Sequence, residues 1–116
     1  VNDYGTGIDI INRGVRLLTN YAQAERHAEV KHERVWVPPL TVSNLFSDIF
    51  APILRDEGGI TVIDIKLLKA FTALYGLDNE QFKVAARKYS RLCYEHAVRT
   101  VVLDEDKEAL KKLVID

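Results

Sequence analysis

The chain has 116 residues, 47% of them hydrophobic and 28% charged, with a formal net charge of −1. Such proportions exclude an intrinsically disordered chain, and a domain of this length buries about two thirds of the surface its unfolded form exposes. The near-neutral balance excludes a global basic field for nucleic acid, and the single cysteine, Cys93, excludes an internal disulfide and favours a reducing compartment.

The first element is a long amphipathic helix, expected from about residue 7 to about residue 30. Ile8, Ile11, Val15, Leu18 and Ala22 recur at steps of three and four, with Ile10, Leu17 and Tyr21 widening the stripe. Gly5-Thr6-Gly7 reads as the loop before it. Thr6 stands as N-cap and Asp9 as the acidic partner three residues on. Arg34-Val35-Trp36-Val37, stopped by Pro38-Pro39, reads as a short extended segment. Thr41 then caps a second helix, with Leu40 and Leu45 at the spacing of a hydrophobic staple. Its apolar face is Val42, Leu45, Phe46, Ile49, Phe50, Ile53 and Leu54, with Pro52 inside the pattern as an expected kink and Gly58-Gly59 as its end.

A third helix follows the Thr61-x-x-Asp64 cap and carries Ile63, Leu67, Leu68, Phe71, Leu74 and Tyr75 to Gly76, with Leu77 packing back. The fourth opens at Asp78-x-x-Gln81 and places Phe82, Ala85, Ala86, Tyr89, Leu92, Cys93, His96, Ala97 and Thr100 on one stripe. Leu103-Asp104 breaks it, and Ala109, Leu110, Leu113 and Val114 give a short last helix. The expected fold is therefore an all-α, bundle-like domain of five helices with one short extended segment near 34–37. No linker divides it, so residues 1–116 are expected to form one domain. There is no methionine, residue 1 is Val, and no apolar run reaches the roughly 20 residues that span a bilayer. The expectation is a soluble piece of a longer protein.

Candidate sites are few. Gly5-Thr6-Gly7 lacks the third glycine of a dinucleotide fingerprint, since Ile10 stands there. The polar set around it, Asn2, Asp3, Thr6, Asp9, Arg13 and Arg16, is denser than a cap requires. It is the candidate ligand- or anion-binding cluster, against the alternative of a solvated helix face. His27 and His32 lie five apart, which turns the second ring by about 140° from the first and suits metal poorly. Cys93 and His96 both fall on the apolar stripe and read as a small buried thiol beside a hydrogen-bonded histidine, not as a nucleophile pair. Lys83, Arg87 and Arg91 repeat every four residues on one helix face, a stripe able to meet phosphates or anionic lipid heads, against the alternative of an ordinary solvated face. No catalytic set, metal or cofactor is expected.

Asn2-Asp3-x-Gly5-Thr6-x-Ile8-Asp9-x-Ile11-Asn12-Arg13, followed by Arg16-Leu17-Leu18, resembles a bacterial family of predicted membrane proteins, the domain-of-unknown-function family numbered 2254. Val35-x-Val37-Pro38 is similar to that family's Val-rich connector, and Thr41-x-x-x-Leu45 to Gly58 to its next helix. Tyr4 stands where the resemblance expects Pro, Gly7 where it expects Ala, and Pro52 is foreign to the pattern. The resemblance implies a multi-helix membrane region followed by a soluble C-terminal half, to which this chain would belong. It implies no activity that can be placed on particular residues. The expected role is a non-enzymatic regulatory or assembly domain of a bacterial inner-membrane protein, on the cytoplasmic side. Its expected partners are the rest of its own chain and further copies of itself, with anionic lipid a weak partner and nucleic acid none. The alternative is an enzyme active site or a small-ligand or anion-binding site built on the N-terminal cluster.

Overall fold

The computed structural model describes the backbone of residues 4–31 and 42–116, and the side chains of residues 5–24 and 42–116. Five helices follow one another: α1 (Tyr4–Lys31), α2 (Val42–Glu57), α3 (Thr61–Tyr75), α4 (Glu80–Thr100) and α5 (Asp104–Lys111). Among the described residues there is no strand. The extended segment expected at 34–37, the Thr41 cap and the Leu40 staple lie outside the described residues.

The 3/4 periodicity of the sequence becomes a single cluster of buried side chains. At its centre Phe46 of α2 packs edge-on to Phe82 of α4, with ring centroids 5.6 Å apart, and tilts against Tyr89 of α4 at 5.9 Å. Phe71 of α3 meets Phe50 of α2 edge-on at 4.9 Å. α3 and α4 form the most extensive helix pair, α1 lies across α3 and α2, and α5 closes the end of the α3–α4 pair. The chain's end is tied back by the Ile115 N–H, which donates to the buried Ser90 Oγ at 3.0 Å.

α1 approaches its neighbours through two buried glycines one heptad apart. A Cβ on Gly14 would lie 2.5 Å from Ile49 Cγ2, and one on Gly7 would fall on the Glu57 carboxylate and lie 3.1 Å from Ile63 Cδ1. Close helix contact at these points outweighs the roughly 1 kcal/mol each glycine costs in a helix.

The helix starts differ from the expected ones. α1 begins at Tyr4, so Gly5-Thr6-Gly7 is its first turn, not a loop, and Thr6 is not its N-cap. Gly7 is buried inside this helix against Glu57 and Ile63. Ile60, not Thr61, is the N-cap of α3, and it makes no side-chain cap bond. α4 is capped by Asn79, one residue later than expected, whose Oδ1 accepts from the Phe82 N–H at 3.1 Å. Gly76 ends α3 in a right-handed conformation, with the Leu77 N–H donating to the Leu74 carbonyl. α2 continues through Pro52 to Glu57.

Candidate functional site

Where α2 turns into α3, the chain buries polar groups. Gly59 adopts φ +95°, a left-handed conformation that strains any side chain, and a Cβ there would also fall on Thr100 Oγ1 of α4. The Gly59 N–H donates to both carboxyl oxygens of Asp64, at 3.2 and 3.1 Å, and Asp64 is fully buried in the first turn of α3. From α4 the Cys93 thiol faces the same carboxyl, 3.9 Å from Oδ1 and 4.0 Å from the Asp64 carbonyl oxygen. The His96 ring closes the outer side, since a Cβ on Gly58 would lie 2.5 Å from its Cδ2.

Burial dominates the electrostatics of this corner. It pushes the Asp64 carboxyl up from 3.8 to about 6, while the Gly59 N–H, the charge on His96 and the Cys93 thiol each pull it back. The Cys93 thiol is pushed upward by burial first, then by the charge and the hydrogen bond of Asp64. A thiol beside a carboxylate in the interior stays protonated and is a poor nucleophile. The sequence reading of Cys93 as a buried thiol stands; its partner is Asp64, 29 residues away, and His96 acts on that carboxyl through its charge. Glu57 Oε2, packed against Gly7, is buried without a hydrogen-bond partner. Among the described residues no three His, Cys, Asp or Glu side chains converge as metal ligands. The side chains of His27 and His32 lie outside the described residues.

The N-terminal cluster is only partly placed. Asn2 and Asp3 lie outside the described residues. Thr6, Asp9, Arg13 and Arg16 are all exposed on α1. Arg13 lines a shallow groove of about 430 Å³ between α1 and α2. Its apolar lining includes Ile10, Leu17, Ile49 and Pro52, and Asp48, Asp56 and Glu57 stand along it. Ile10 and Leu17 were expected to widen the core stripe. They are 46% and 60% exposed, because the stripe of α1 is broader than the surface α2 and α3 cover.

The basic stripe of α4 is brought together on its outer face. The Arg87 guanidinium donates to Tyr75 Oη at 2.8 Å and lies over that ring, and Lys83 pairs with Glu80 at 4.0 Å. Arg91 and Lys88 stand with Arg87, Val84 and Leu92 around a second hollow of about 290 Å³. Leu92 was expected in the core and is 41% exposed, and Val84, at 66%, was not singled out at all. Val84 lies three and four residues before Arg87 and Lys88, and Leu92 four after Lys88, a signal present in the sequence.

The family model described as a predicted membrane protein of the DUF2254 series matches residues 1–73. That span runs from α1 almost to the end of α3. No curated protein and no solved structure matches the chain.

Proposed function

The chain belongs to the DUF2254 family of predicted membrane proteins, and from that premise we propose that its helices form a non-catalytic assembly domain. In this reading it stands on the cytoplasmic side of a bacterial inner membrane and docks the membrane-spanning part of its own protein. None of the described helices is long and apolar enough to cross a membrane. The observation that carries the reading is the open groove between α1 and α2. Two large aliphatic side chains, Ile10 and Leu17, lie uncovered there beside Ile49 and Pro52, with acidic groups along the edge. Burying apolar surface of that kind is what drives helix-in-groove association. The protonated, acid-paired Cys93 supports the non-catalytic part, because the chain's one thiol is held in its unreactive form.

A photo-crosslinking residue in place of Leu17, in the membrane-inserted protein, tests this. An adduct to a peptide of the same protein is the expected result. Recovery of the unreacted probe, or of adducts to lipid alone, overturns it.

A further inference from the structure

Between residues 84 and 92, α4 turns five side chains outward: Val84, Arg87, Lys88, Arg91 and Leu92. Three are cations, two are aliphatic and none is acidic. The four between them, Ala85, Ala86, Tyr89 and Ser90, are buried against the other helices. The face is therefore fixed in its orientation by the core and spans roughly 12 Å along the helix axis. α4 as a whole carries five Lys or Arg and two Glu, a surplus of three positive charges in a chain whose net charge is −1. The positive charge is concentrated on one element.

We propose that this face rests on an anionic phospholipid surface. Arg87, Lys88 and Arg91 meet the headgroup phosphates, and Val84 and Leu92 enter the boundary between headgroups and acyl chains. Cations interleaved with aliphatic side chains on one exposed helix face are what an interfacial contact requires. The charge of the patch is complementary to that of anionic lipid, and a soluble acidic partner gives no comparable reason for Val84, 66% exposed, to stand among the cations. The proposal adds a lipid partner to the assembly reading and rests on its placing the domain beside a membrane. The two fail separately: loss of vesicle binding leaves the Leu17 adduct untouched, and the reverse holds too.

The test is sedimentation of the 116-residue chain with vesicles of phosphatidylglycerol and phosphatidylcholine, compared with phosphatidylcholine alone. Each basic residue near an anionic surface contributes about fivefold to partitioning, so Lys88→Gln with Arg91→Gln lowers it about 25-fold. Val84→Ser with Leu92→Ser lowers it by a smaller factor that added salt does not change. Melting curves of both variants verify that they remain folded. Inorganic phosphate, at an ionic strength matched with sodium chloride, displaces no more protein than the chloride does. Binding that is equal on the two vesicle types, or equal for wild type and the Lys88→Gln/Arg91→Gln variant, overturns the proposal. So does displacement by phosphate beyond the salt control, which marks a free-anion site. Tighter capture by an acidic peptide in solution than by vesicles overturns it in favour of a protein partner.

Discussion

At the α2–α3 corner a carboxyl and a thiol lie in the interior; on the outer face of α4 a valine and a leucine lie in water. The two regions invert the usual arrangement in opposite senses, and only one inversion is explained among the described residues. Asp64 is buried because the left-handed turn at Gly59 aims an N–H inward, and a buried donor left unpaired costs about 1–3 kcal/mol. The carboxyl supplies the acceptor, and Cys93 supplies a donor to the carboxyl. Nothing among the described residues does the same for Val84 and Leu92, which are 66% and 41% exposed. On the proposal above an anionic lipid surface covers them, which would make the corner architecture and the α4 face an interaction surface.

The corner also joins the segment matched by the family model to the segment beyond it. Asp64 lies within residues 1–73 and Cys93 outside them. The same boundary is crossed by the Phe46–Phe82 and Phe71–Tyr89 contacts. α4 therefore completes the core of the matched helices, and its outward face is held at a fixed angle to them.

An ordinary core substitution sets the scale for breaking this comparison. Phe71 is fully buried between Phe50 and Tyr89, so Phe71→Ala should cost about 3–5 kcal/mol in denaturant unfolding. Gly59→Ala should follow at about 1–3 kcal/mol, from the left-handed backbone and the Thr100 contact together. In the Thr100→Ala background, Gly59→Ala should cost less but still destabilise, because the φ of +95° remains. If Gly59→Ala is neutral in both backgrounds, the turn does not hold the corner as described.

Asp64→Asn separates the charge of the corner from its hydrogen bond, since the amide oxygen still accepts from the Gly59 N–H. The carboxyl is raised from 3.8 to about 6 in the fold, so the folded state holds its proton more tightly than the unfolded chain does. Its contribution to stability is fully present below about pH 4 and is lost as pH rises through about 6. Melting temperatures of wild type and Asp64→Asn should therefore lie closest at pH 4. The variant should gain on wild type between pH 4 and 7, and the difference should level off above that. A constant difference across the range would mean that Asp64 titrates normally.

What was legible in the sequence follows the same division. All five helices could be read, because 3/4 spacing survives whatever the helices pack against. The caps expected at Thr61 and Asp78 are each one residue from the observed ones, and Thr6 lies inside α1. A cap is set by which residue leaves the helical conformation, and here Ile60, next to the Gly59 turn, and Asn79 do so. Asp64 was visible as a first-turn acid, but not that its carboxyl would be buried facing Cys93, 29 residues on. Gly7 and Gly14 carried a readable signal, two small residues a heptad apart at the edge of an apolar stripe, whose meaning emerged only with the close approach of α2 and α3. The resemblance expects Ala at position 7; in this chain that methyl would meet the Glu57 carboxylate. Ile10, Leu17 and Leu92 extended their stripes correctly by spacing and wrongly by burial, because spacing gives a direction and not the width of the surface that covers it.

The smallest effect is the sharpest test of the comparison. Val84 and Leu92 contribute little to the fold if their exposure is as described, so Val84→Ser with Leu92→Ser should change unfolding stability by no more than about 0.5 kcal/mol per site. On the lipid proposal these two side chains, set among three cations on a helix face fixed by the core, are covered from outside and not by their own fold. A loss of 2 kcal/mol or more would instead place these side chains in the chain's own packing, and the outer face of α4 would then be as internal in its purpose as the Asp64 corner. Equilibrium unfolding of the double variant beside wild type decides between the two.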